Sequence, residues 1–114
     1  MRSAFGALTL VLAVGPVMAQ TPTALGTVTL LRTGWNADSF GIVTTAPQIN
    51  PRGCGSLPGY ISTKPARGYD TLYQAALLAF QQKAVVQVVV SNTDCTAGWP
   101  RIIGINLFPP GTPH

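Results

Sequence analysis

Acidic and imidazole chemistry is nearly absent from this chain. It contains no glutamate, only the aspartates Asp38, Asp70 and Asp94, and one histidine, His114, at its last position. General acid–base catalysis needs two carboxylates, or a histidine set against a partner, with pKa values drawn towards neutrality. Asp38 and Asp94 fall among turn residues, and Asp70 sits where a helix would begin. Ser39, Ser56, Ser62 and Ser91 have no histidine to activate them except the one in a proline-rich tail. The chain is therefore not expected to be an enzyme.

Cysteine is equally scarce. Cys54 and Cys95 are the only two, and they lack a paired CxxC spacing. One terminal histidine cannot complete a tetrahedral ligand set with them, so neither a metal nor a cofactor is expected. Glycosylation sequons are missing as well: Asn36, Asn50, Asn92 and Asn106 all lack the required third residue.

No segment after the first twenty residues approaches eighteen uncharged apolar positions, the length that would suggest a membrane-spanning helix. The start, "MRSAFGALTLVLAVGPVMA", has one base (Arg2), an apolar run from Ala4 to Val14, a Gly15–Pro16 break and small residues at Val17 and Ala19. This is the pattern of a secretory signal peptide spanning residues 1–19, with a membrane anchor as the alternative. Residues 20–114 then form one domain, secreted or periplasmic, with no membrane span of its own. An oxidising compartment favours a Cys54–Cys95 disulfide over two free thiols, and so small a chain gains from a covalent staple.

What charge remains is mildly basic. Without Arg2, six bases stand against three aspartates, a balance of +3. The bases are scattered along the chain, so a nucleic-acid footprint is not indicated. Such a balance is compatible with anionic glycans or surfaces without requiring them.

Turning to what is present, "GTVTLLRTG" (26–34) reads as a strand rich in branched side chains, after a flexible lead over 20–24. "WNAD" supplies a turn, and "SFGIVTTA" (39–46) a second strand. Residues 47–58 form a long Pro/Gly loop holding Cys54, and "GYIST" (59–63) a short third strand. Leu72, Ala75, Ala76, Ala79 and Phe80 then recur at the spacing of a buried helical stripe, widened by Tyr73 and Leu77. Asp70 or a neighbour is placed to cap that helix. It feeds directly into "AVVQVVVSN" (84–92), which puts Val86, Val88 and Val90 on one face and Val85, Gln87 and Val89 on the other. The second face needs cover from the helix or another subunit. "TDCTAGWP" reads as a connector, "RIIGINLF" (101–108) as the last strand, and 109–114 as a loose tail. Three strands, a helix and two strands is the order of a mainly β, five-stranded OB-fold-like barrel with the helix between strands 3 and 4. An open α+β sheet is the alternative.

At "DTLYQAALLAFQQKAVVQVVV" the chain resembles the B subunits of bacterial AB-type toxins, of the subtilase cytotoxin kind. In that family a "TLY" and an alanine-leucine helix also lead directly into a strand of branched residues. Small secreted bacterial proteins share the pattern and place a cysteine before the final strand, as Cys95 is placed here. The resemblance implies an OB-fold, a homo-oligomeric ring of five subunits with the helix lining its centre, and glycan binding. The serine and tyrosine that hold sialic acid in those B subunits correspond to Leu25 and Val90 here, neither of which donates a side-chain hydrogen bond. That sugar site is not inherited.

Ligand-binding candidates are therefore the aromatics and their basic neighbours: Trp35, Tyr60, Trp99 and Arg101, with Arg32 and Arg52 nearby in type. Such a set stacks on bases in many OB-folds, but export and scattered charge argue for a sugar ring or a protein partner instead. Packing is the competing role, above all for Trp99 before Pro100. The sequence thus points to an exported, non-catalytic binding or assembly module. A periplasmic inhibitor or envelope-associated structural protein acting through loop 47–58 is the alternative.

Overall fold

The computed structural model describes residues 19–34 and 37–114. The proposed signal peptide lies outside them except for Ala19. The chain is mainly β, with one helix. Its strands are β1 (Gln20–Pro22), β2 (Gly26–Thr33), β3 (Ser39–Thr44), β4 (Tyr60–Thr63), β5 (Val85–Thr96) and β6 (Trp99–Phe108), and α1 (Tyr69–Gln82) lies between β4 and β5. Among the described residues no helix is long and apolar enough to cross a membrane.

The strand pairings close on themselves. β5 pairs antiparallel with both β2 and β6, β2 with β3, and β3 with β4. A parallel bridge, Ile61 to Arg101, joins β4 to β6. Inside this circuit sit Phe40, Ile42, Tyr60, Val88, Val90 and Ile102, all nearly inaccessible, with Leu72 and Ala76 of α1 against them. Each such large apolar side chain contributes about 1.5–3 kcal/mol on leaving water. Phe40 fixes the helix to the sheet, its ring tilted against Tyr69 and Tyr73 at centroid distances of 5.8 and 5.5 Å.

The helix follows the fourth strand of the chain, not the third. The difference arises at β1, within the segment expected to be a flexible lead. Gln20, Thr21 and Pro22 pair with Ser91, Val90 and Val89. Thr23 continues along the same flank of β5, its amide donating to the Val88 carbonyl and its hydroxyl accepting from the Val88 amide. β2 then takes up Val86 and Val85 further down. The lead is therefore the front end of one long, broken edge beside β5. Pro22 concealed it, because a residue without an N–H is a poor strand signal.

Three further expectations are corrected. Asp70 is not the cap: the helix starts after Gly68, with no side-chain cap, and Asp70 lies in the first turn, where its charge still suits the helix dipole. Phe80 does not belong to the buried stripe but is 44% exposed, as is Leu78, while Leu72, Ala76 and Ala79 are buried. Finally, the supposed connector 93–100 is largely strand. β5 runs to Thr96 and β6 begins at Trp99, with Ala97 (φ 52°) and Gly98 (φ 86°) forming the two-residue turn between them. Positive φ at both central positions belongs to the primed turns whose twist matches a hairpin. The valines of β5 also find most of their cover within the chain, since Val85 is as buried as Val86 and Val89 is half-buried.

Candidate binding face at the bridged end

Loop 47–58 and the β5–β6 turn meet at one end of the molecule, joined by the Cys54–Cys95 disulfide. The loop is held by short polar contacts. Asn50 closes it on itself, its amide nitrogen donating to the Cys54 carbonyl and its carbonyl oxygen accepting the Cys54 amide, both at 2.8 Å. Gln48 does the same for the loop's exit, accepting from the Gly59 amide at 2.7 Å and donating to the Gly59 carbonyl at 3.2 Å. The Ser56 amide donates to the Gly98 carbonyl, and the Arg52 Nε to the Thr93 carbonyl, so the loop is also pinned to the hairpin. Segments tied in this way lose little entropy on binding.

Beside this end, Arg32 lies across the outer surface of β3 and β4. Its guanidinium carbon stands 5.2 Å from the centroid of the Trp99 ring, and its Nη2 donates to the Pro58 carbonyl at 3.3 Å. A cation over an indole face adds about 0.5–1 kcal/mol at such a half-exposed place. Two glycines lie beneath the side chain. A Cβ on Gly41 would stand 3.5 Å from the Arg32 Cγ and 3.3 Å from Ile61. On Gly59, at φ 111°, it would come within 2.8 Å of the Ile42 carbonyl. In sequence these glycines look like breaks in strand alternation; in the fold they lie against the Arg32 side chain.

Arg101 follows Trp99 by two positions on β6 and so shares its face. Its Nη1 stands 3.6 Å from Asp94 Oδ2, a long ion pair with both side chains partly in solvent. Arg32, Arg52 and Arg101 thus all reach residues of the β5–β6 hairpin: Trp99, Thr93 and Asp94. Their distance along the chain hides this convergence; the strand register creates it.

The four ligand candidates fare differently. Trp99 and Arg101 lie side by side on the outer face. Trp35 lies outside the described residues. Tyr60 is 2% exposed, in the core rather than on a ligand-facing surface. Its hydroxyl accepts the Ile49 amide at 2.9 Å, securing the start of loop 47–58 from below. Burial raises the Tyr60 pKa above its ordinary value, and the bond from Ile49 offsets part of that rise. Arg32 belongs with Trp99 more intimately than its sequence position suggests. Val90 is fully buried in the core.

Comparison of this chain with protein-family models, with curated proteins and with solved structures finds no significant match.

Proposed function

We propose that the chain is an exported, non-catalytic binding or assembly module on a five-stranded OB-fold barrel, similar in scaffold to the B subunits of bacterial AB-type toxins. The barrel reading is supported by the circuit β2–β3–β4–β6–β5, which returns to β2, and by the parallel β4–β6 bridge. β1 then counts as the front of the first barrel strand, which restores the helix to its place between the third and fourth. Export is supported by the N-terminal sequence pattern and is consistent with the disulfide.

The binding face is Arg32, Trp99 and Arg101, with loop 47–58 as its rim, and its partner is a glycan or a protein at a cell surface. One observation carries this: Arg32 is held between the Trp99 ring and the Pro58 carbonyl, over a floor of two glycines. A guanidinium and an indole fixed together, half in solvent, offer a stacking surface and hydrogen-bond donors at once. The helix supplies a second surface for assembly with further copies, since Leu78 and Phe80 are both exposed.

A glycan-binding screen on the purified chain, repeated with Trp99→Ala, tests the reading. Binding that depends on Trp99 supports it; hits retained in full by the variant sink it. The alternative of an inhibitor or envelope-associated protein has its own observation, Leu57, which is 47% exposed on the tethered loop. Alanine replacements across 47–58 that abolish capture of a protein partner, with glycan binding unchanged, favour that reading.

A further inference from the structure

The register at the head of β1 sets which way each of its nitrogens faces. The Asn92 amide donates to the Ala19 carbonyl at 3.0 Å, and the Thr23 amide to the Val88 carbonyl at 2.8 Å. Bonded and non-bonded pairs alternate along an antiparallel ladder. Ala19–Asn92, Thr21–Val90 and Thr23–Val88 are therefore bonded pairs, and Gln20–Ser91 and Pro22–Val89 are non-bonded ones. The nitrogens of Gln20 and Pro22 thus face away from β5, which is the one strand neighbour that β1 has among the described residues. Both residues are exposed. This is why the strand accepts a proline: position 22 has no ladder bond to lose, and its ring closes over the open flank. Gln20 stands two residues earlier, in the same phase.

We propose that Gln20 is a modification site, converted to pyroglutamate in the mature chain by closing a lactam on this flank. The inference rests on the export reading, in which cleavage after Ala19 leaves Gln20 with a free α-amine. An α-amine, with a pKa of about 8, is partly unprotonated at neutral pH and can then attack the side-chain Cδ carbonyl. A bond forms between the α-nitrogen and Cδ, the Cδ–Nε2 bond breaks, and one amine hydrogen leaves with Nε2 as ammonia. No oxidant, reductant or water takes part. The product is a proline ring with an added oxo group, and its Cδ takes the place that the Gln20 amide hydrogen held. Position 20 then repeats what Pro22 already does, and the Thr23–Val88 bonds are untouched. At a bonded position the same ring would be driven into β5. The strand stays anchored close by through the Thr21 hydroxyl, which donates to Asn92 Oδ1 at 2.6 Å. Cyclisation removes the terminal ammonium and closes the chain to aminopeptidases, which need a free α-amine.

Intact-mass spectrometry of the full chain, expressed in a bacterial host and recovered from the exported fraction, tests the site. The protein is expected to begin at Gln20 and to lack the mass of one ammonia. Gln20→Asn, whose shorter side chain would have to close a strained smaller ring, is expected to keep its full mass. Folded protein held at neutral pH should complete the conversion as fast as a free peptide of residues 20–26. Amide-exchange protection at Val88 should persist through the conversion, because the ring forms away from β5. A chain that begins at Gln20 and keeps its ammonia, while the free peptide loses it, overturns the proposal and leaves export standing. Protection lost at Val88 as the ring closes overturns it too, since the ring would then be displacing the ladder. A chain cleaved at another residue removes the proposal alone, and one that still begins at Met1 removes the export reading with it.

Discussion

The Thr23 hydroxyl occupies the place of a strand carbonyl: it accepts the Val88 amide at 3.0 Å, while the Thr23 amide donates to the Val88 carbonyl at 2.8 Å. One residue thus makes both halves of a ladder step where β1 ends and the chain bends towards β2. The same hydroxyl donates to the Ala24 carbonyl at 2.7 Å, so its one proton is also used. Thr23 is 3% exposed and Val88 fully buried, so no water can substitute. Thr23→Val keeps the shape and deletes the acceptor. It is expected to cost about 1–3 kcal/mol, the desolvation of one orphaned amide. For a domain of this size that lowers the melting temperature by roughly 4–8 °C per kcal/mol. Thr23→Ser should recover most of the loss, and amide exchange at Val88 should accelerate only in the valine variant.

That contact also marks where sequence reading stops. The helix and the valine strand were legible because each repeats one period: Leu72, Ala76 and Ala79 at helical spacing, and Val86, Val88 and Val90 in alternation, all prove buried. β1 was illegible because its pairing is backbone and hydroxyl chemistry around a proline, with no apolar alternation to betray it. The β5–β6 turn was missed since Ala97–Gly98 lacks the Asn or Asp that usually announces a primed turn. Phe80 fits the helical stripe by angle, but its neighbouring surface is the open groove along Thr27–Thr29, not the core. As for the site, Trp99 and Arg101 could be nominated by residue type. Arg32 over Trp99 depends on strand register and on glycines that periodicity treats as blanks. Tyr60 shows the opposite failure, an aromatic of binding type recruited to hold a loop.

Tyr60 makes the protein sensitive to alkali. Its phenol, ordinarily near pKa 10, is raised by burial in the folded chain, and the Ile49 bond recovers only part of the shift. The sign follows from proton counting. Above about pH 10 the unfolded chain loses this proton while the folded chain retains it, so the unfolded state is favoured increasingly as pH rises. Below that, both states are protonated and Tyr60 adds no slope. Tyr69 is shifted the same way, chiefly by burial and next by the Asp38 charge. Denaturant midpoints measured from pH 8 to 11 should therefore fall at the alkaline end. Tyr60→Phe should be less stable at neutral pH by about 1 kcal/mol, for the lost bond, yet show a shallower alkaline decline. A wild-type midpoint that is flat across this range would contradict the assignment.

The disulfide should matter twice, to global stability and to the binding face, and the two effects are separable. Cys54 and Cys95 are 41 residues apart in sequence, and closing a loop of that length removes denatured-state entropy worth about 4 kcal/mol in the chain-entropy model. Replacing both cysteines with serine should lower the unfolding free energy by roughly that amount, and reductant should do the same to the wild type but nothing to the variant. Locally, the loop keeps its Asn50–Cys54 backbone bonds, which need no sulfur, but loses its covalent tie to the hairpin. The Ser56 amide, bonded to the Gly98 carbonyl across that tie, should then exchange much faster. Val88, a fully buried member of the core, should slow or quicken only with the global stability. Equal acceleration at Ser56 and Val88 would mean that the bridge acts on the unfolded chain alone; selective acceleration at Ser56 would show that it also holds the rim of the Arg32–Trp99 face in position.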